Sequence, residues 1–491
     1  MASILDTLET RASAHPPSLP LKLLVVAECT GNDHGEQPLL VREADISVLL
    51  DALRPVVEID AENRLQKGGP RIRTRLQISR MEDFHPSSLV EKIPSLAEAQ
   101  QFSNPALSDQ LDEILHQPGF QSMESCWRGL ERLVFHAAAK PGIQLEVMAA
   151  SRRDLKDRFH KQVLEPEFQG LVEIPLSAVY FDFRFSHEPV DLPLLEALAA
   201  DCEALQVPLV AAVSPAFFQL KNLIHLPSLP DIAGKLQSPA YTNWRNFQTS
   251  SKARWVCLTA NRYLARETYN LSRSAGDPID YVERADAAHP ERYLWADAGW
   301  LVFSNLARSF AKYRHCVVID GMSPDTAHNN LPVRPFPKIA NVQVPSPTEI
   351  LIDDAKAWDV VRGGVTMLMG ISNGAVATFP LLATVHRLRP GVMTTESALS
   401  YQLFAGHLSH YLLTLYEQIP IRETTEAVTT FVQSKLQEFL IPFAGETPEE
   451  CVQAKLIEPA GEAGGRLLSL TIKPHLKIQG RNVDFTLQLS L

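Results

Sequence analysis

Side chains able to do chemistry are present, but their spacing does not gather them. His407 and His410 lie three residues apart on an expected helix, so the rings share a face, yet no acidic residue occupies the same turns. They read as packing histidines. Asp353-Asp354 precedes Ala355-Lys-Ala-Trp358, an arrangement that favours a helix dipole at its N-terminus. Cys257 falls inside Trp255-Val-Cys-Leu258, an apolar strand in which a thiolate would not form. Ser214-Pro215 has the form of an N-cap followed by proline at the first helical position, and His187-Glu188 that of polar residues at a helix entry. Gly234-Lys235 is followed by Leu236 where a phosphate loop needs Ser or Thr, and Arg362-Gly-Gly-Val365 reads as a tight turn. With no H-E-x-x-H pattern, the expectation is a protein that is not an enzyme, with no cofactor, metal or catalytic residue.

The elements around these residues are more informative. Val483, Phe485, Leu487 and Leu489 alternate with Asp484, Thr486, Gln488 and Ser490, the period of a half-buried strand. Leu467–Lys473 precedes it as a second short strand. Two arrangements satisfy this pattern: a hairpin that closes its own sheet, or a strand that pairs with the sheet edge of another chain.

Composition limits the partners. The 491 residues are 45% hydrophobic and 21% charged, enough for two to four domains. A formal charge of −11 disfavours nucleic acid and anionic membranes. Six cysteines without short spacings are those of a reduced, cytoplasmic protein. Met1–Thr10 lacks the basic cluster of a signal peptide, and the longest apolar run, Val207–Phe218, is interrupted by two prolines, so neither export nor membrane insertion is expected.

The fold expected is α/β, with mixed sheets covered by helices and C-terminal strands available for exchange between subunits. Residues 1–103 form a small α/β region with a strand at Leu21–Ala27, a turn at Thr30–Gly35, a helix within Glu43–Leu53, a strand at Arg71–Ile78 and a helix entry at Asp83–Ser87. Residues 104–345 alternate strands (143–148, 178–182, 208–213, 254–259, 316–320) with helices (111–139, 192–205, 293–313), and 270–291 is a surface loop. Residues 346–491 hold a strand at 365–371, helices at 397–417 and 424–440, and the closing strands. Phe120, Met123, Trp127 and Leu130 form one helical stripe flanked by a Glu124–Arg128 pair.

Phe120–Leu130, preceded by Leu111–Pro118, resembles the opening segment of the large contractile-sheath subunit of bacterial type VI secretion systems. Tyr180–Phe185, Pro208–Phe218, Val256–Arg266, Tyr293–Tyr313, Pro347–Ile350, Leu399–Leu403 and His407–Leu412 continue the resemblance in order, from about residue 107 to the end. Leu19–Gly31 and Met81–Leu96 are similar to the small sheath subunit instead, so the chain looks like small and large subunits joined. Ala27-Glu28-Cys29 and Asn261 depart from the family pattern, and the C-terminal portion of the small subunit is missing.

The resemblance implies a structural protomer that polymerises helically around an inner tube and contracts to drive it out. Its partners would be copies of itself, the tube protein, baseplate components and a second sheath polypeptide. The alternative is a sheath-like baseplate or cap component that does not polymerise alone. Strand exchange is expected of the terminal strands, through Lys22, Leu24 and Val26 and through Val483, Phe485, Leu487 and Leu489. Asp354, Lys356, Asp359 and Arg362 are expected on a helix that faces the tube.

Overall fold

A computed structural model of the chain describes residues 19–31, 37–101, 105–286, 288–335, 344–371, 374–444, 448–457, 466–478 and 480–490. The first eighteen residues and residues 32–35 of the expected turn at Thr30–Gly35 lie outside them. Leu21-Lys-Leu-Leu-Val-Val-Ala27 forms strand β1, buried along its whole length. Leu21, Leu23, Val25 and Ala27 point into one core, and Leu24 and Val26 into a second on the opposite face. A nearly unbroken apolar run of this kind belongs to a strand covered on both sides.

β1 lies inside a seven-stranded sheet with β2 (Leu39–Val41), β5 (Ile143–Ala149), β6 (Ala178–Phe185), β7 (Leu209–Val213), β8 (Val256–Ala260) and β9 (Val365–Met367). The order is β9-β8-β7-β6-β1-β5-β2. Every neighbouring pair is parallel except β2 with β5. β3 (Val56–Ala61) and β4 (Ile72–Gln77) form a separate antiparallel pair.

The sheet draws strands from all three expected regions, so neither 103 nor 345 interrupts it. β1 pairs along one edge with β5, from Leu21↔Ile143 to Ala27↔Ala149, and along the other with β6, from Leu23↔Ala178 to Val26↔Phe181. Both edges are occupied. The exchange expected of Lys22, Leu24 and Val26 is therefore corrected: their strand has no edge to offer, and Lys22 instead reaches Glu146 on β5, Nζ to carboxylate 3.4 Å.

Helix α1 (Ile46–Leu53) is N-capped by Asp45, and α2 (Pro86–Lys92) and α3 (Pro94–Gln101) follow the hairpin. The helix expected at 111–139 is two, α4 (Leu107–Leu115) and α5 (Pro118–Ala137). Pro118 begins the second and holds Gln117 extended, which breaks the run. On α5 the Phe120, Met123, Trp127 and Leu130 stripe is buried, and Arg128 pairs with Glu124 at 2.8 Å. α6 (Leu192–Leu205) agrees with its expected span.

The helix expected at 293–313 begins at Gly299 (α7, Gly299–Tyr313), because Trp295–Asp297 pairs antiparallel with Arg262–Leu264. The strand expected at 316–320 is irregular. Asn305 of α7 donates to the Ile319 carbonyl within it and Ser309 to that of His315 just before it, and no ladder forms. Within the loop expected at 270–291, Asn270–Leu271 pairs with Tyr281–Val282, and Ile279, Tyr281 and Glu283 are buried.

α8 (Asp354–Arg362) carries Asp353 as its N-cap, accepting from the Lys356 amide. α9 (Leu399–Tyr416) and α10 (Thr425–Ala444) back a three-stranded antiparallel sheet of β10 (Val452–Ile457), β11 (Leu467–Ile472) and β12 (Phe485–Ser490). Its apolar residues join both helices in a core of their own.

Candidate assembly interface

β11 is the middle strand of the C-terminal sheet. It pairs with β10 from Val452↔Ile472 to Ile457↔Leu467 and with β12 from Leu467↔Ser490 to Ile472↔Phe485. The final strand closes its own sheet on one side, as the first of the two expected arrangements has it. Its other edge has no partner strand among the described residues.

The alternation read in the sequence sorts the side chains. Phe485 is buried, Leu487 and Leu489 are half-buried, and Thr486, Gln488 and Ser490 are exposed. Phe485 stacks on Tyr401 of α9 with ring centroids 5.3 Å apart and meets Phe404 at the same distance. Val483 is 2% exposed just before the strand, and its amide donates to the Leu476 carbonyl at 3.1 Å. The far end is held by the Tyr416 hydroxyl, which donates to the Ser490 carbonyl at 3.0 Å.

A groove runs beside Phe485 and Leu487. Tyr401, Gln402 and Leu408 of α9 line it, together with Trp255 and the Arg254–Glu396 ion pair at 3.2 Å. The half-buried leucines hold apolar surface that a covering strand would remove from water, at roughly 25 cal/mol per Å². Bare backbone and apolar side chains on one edge are what β-augmentation uses.

Sequence reasoning missed β10 at the opposite edge and the groove-lining aromatics. A signal for β10 existed, since Val452, Ala454 and Leu456 alternate with Gln453 and Lys455. None existed for Trp255, which reaches the groove only through folding.

On α8 the four expected residues divide. Asp354 and Arg362 are exposed, and Asp359 holds Arg362 at 2.8 Å. Lys356 turns inward and donates to the Pro227 carbonyl. Ala357, Val360 and Val361 are buried, so only one flank of the helix carries charge outward.

The side chains able to do chemistry are occupied elsewhere. His410 Nε2 donates to the Leu205 carbonyl at 2.8 Å. His407 sits between the rings of Phe310 and Phe439, and burial pushes it down to about 4. Burial pushes the Cys257 thiol up to about 12. Ser214 holds the capping position expected, but its side chain makes no capping bond. Gly234-Lys235 lies in a short helix capped by Asp231. No group of three His, Cys, Asp or Glu side chains suited to a metal stands together among the described residues, and no helix of theirs is long and apolar enough to cross a membrane.

Fold and edge together define an α/β body that carries an appended sheet with an open strand. The model of the EvpB/VC_A0108 family, tail sheath N-terminal domain, matches residues 103–386, more than half of the chain, and the chain belongs to that family. A second model, type VI secretion system, VipA, VC_A0107 or Hcp2, matches residues 6–123, so both sheath modules are joined in this polypeptide. The type VI secretion system sheath protein TssC1 of Pseudomonas aeruginosa is 27% identical over 287 residues, covering 56% of this chain and 58% of that protein. The chain thus spans little more than half of that relative's length. The crystal structure of a sheath tail protein from Desulfitobacterium hafniense superposes with a TM-score of 0.41 at 6% identity, over 96% of this chain and 97% of that one. The family match ends at 386, so the resemblance read at 399–412 and in the closing strands lies beyond it.

Proposed function

We propose that this chain is a structural protomer of a contractile sheath, and that the open edge of β12 is where a strand of the next copy adds. The observation that carries the reading is that edge, lying beside a groove of mixed polar and apolar lining within a chain of the sheath family. If the donor segment is a surface other than β12, the contact is heterologous. Repeated without closing, it builds a helix. Backbone hydrogen bonds between copies would persist while the bodies repack, and contraction would be a shift between two packings of one lattice. The charged flank of α8, through Asp354, Asp359 and Arg362, would meet the inner tube, while Lys356 holds the helix to the body. The assembly would work in the cytoplasm, with baseplate components and a second sheath polypeptide as further partners, and its output would be mechanical rather than catalytic.

One observation favours a second reading. With β1 interior, the first strand has no edge to exchange while β12 has one, which suits a baseplate or cap component that binds sheath ends. Negative-stain electron microscopy of the chain, intact and with Asp484–Leu491 deleted, separates the two. Ridged hollow tubes that vanish on deletion support the protomer. Discrete particles from the intact chain, alone and with a second sheath polypeptide, contradict it.

A further inference from the structure

The winding of the seven-stranded sheet reverses at β1. From β1 the chain runs to the edge strand β2 and then to β5 on one side, passes back over β1 to β6 and continues through β7, β8 and β9 on the other. Where winding reverses, the connections depart over opposite faces. The C-terminal ends of the two strands then stand beside an uncovered crevice, the place where open α/β sheets hold ligands. A cavity lies at that position here, reached by Glu28, the residue after β1, and by Asp182 and Arg184 of β6.

Its charge is unbalanced. Arg184 Nε donates to both Asp297 oxygens, at 2.8 and 3.0 Å. Arg262 is held by Glu349 through two bonds of 2.7 Å. Both guanidinium groups of the wall are thus spent. Glu28 and Asp182 have no ion pair among the described residues. Asp182 accepts a hydrogen bond from the neutral Tyr180 hydroxyl at 2.7 Å. Burial first, then the charge of Asp297, pushes Asp182 up to about 6, a cost that a cation beside it would relieve.

The aromatic wall is already taken. Tyr293 and Trp295 are each 4% exposed. The Arg334 guanidinium lies over both rings, at 5.3 and 5.2 Å from their centroids, so a further cation is left the acids Glu28 and Asp182. An anion is disfavoured, because an acid stands directly after β1 where a phosphate-binding loop would present amides.

We propose that the crevice at the β1–β6 reversal binds an organic cation, a guanidinium or ammonium group, between Glu28 and Asp182. The group is carried either by a small free molecule or by a basic side chain of a neighbouring chain. This inference does not depend on the assembly reading.

The test is calorimetric titration of the full chain with ethylguanidinium and ethylammonium chlorides, against sodium chloride and inorganic phosphate at matched ionic strength. Saturable binding of the organic cations alone is expected, at least tenfold weaker in Glu28→Gln and in Asp182→Asn. Glu28 is exposed, so its variant tests the site without disturbing the core. A second titration, on the chain in its assembled form, distinguishes the sources. Retained binding assigns the site to a free molecule, and loss on assembly assigns it to a neighbour's side chain. No saturable binding in the wild type, or binding that both variants retain in full, overturns the proposal.

Discussion

The Tyr416 hydroxyl reaches the Ser490 carbonyl at 3.0 Å, joining the last turn of α9 to the last residue of β12. The bond crosses from the supporting helix to the strand with the open edge. A net contribution of ~1 kcal/mol is expected for such a bond. Tyr416→Phe should therefore leave the unfolding midpoint nearly unchanged. Amide exchange should nonetheless speed up in β12 alone, as read by hydrogen-exchange mass spectrometry.

Phe485 fills the space between Tyr401 and Phe404. Phe485→Ala should cost ~3–5 kcal/mol, the usual range for a buried phenylalanine. Because the C-terminal sheet and its helices form their own core, the loss should fall on that unit. Limited proteolysis should cut within residues 399–490 while the seven-stranded sheet remains intact.

Arg387 is fully buried and bonds only to carbonyls: those of Val361 and Arg362 at the end of α8, and those of Thr384 and His386. Burial pushes its guanidinium down to about 9. Arg387→Ala would leave the Arg362 and Thr384 carbonyls without these donors, while those of Val361 and His386 keep bonds from the Gly364 amide and the Ser397 hydroxyl, a loss of roughly 2–4 kcal/mol. Chemical denaturation should record it, with α8 the first helix to lose exchange protection.

His407 supplies the pH dependence. Its folded form holds a proton less tightly than the unfolded chain, 6.5 falling to about 4 through burial first and then His410 and Arg314. Stability from the neutral ring is thus present in full above 6.5. It is lost as pH falls from 6.5 towards 4, by up to ~3 kcal/mol. His407→Phe should flatten the unfolding profile across that window and change little at pH 8.

Where local pattern governs, the fold was legible. The period of two in Val483–Leu489, the helical stripe through Trp127 and the dipole-favoured acids at Asp353 all lie where their spacing puts them. Long-range pairing was not legible. Arg266 bonds Glu124 and Glu283, partners 142 and 17 residues away, and nothing local announces either. The interior position of β1 was written in its nearly unbroken apolar run, but a terminal location suggested an edge. In the candidate interface, β12 itself was legible. The groove beside it was not, since Trp255 and Tyr401 meet there only through tertiary packing.

The central claim is that β12 offers its outer backbone to another copy, and a pair of prolines tests it most directly. Successive amides of an edge strand point alternately inward to β11 and outward. Proline placed at Gln488 and, separately, at Leu489 therefore removes one amide of each kind. The account predicts that one variant melts early through damage to the β11 pairing. The other should retain the wild-type melting temperature but form no tubes under the electron microscope. Wild-type tubes from the variant that retains its melting temperature would contradict strand addition at β12.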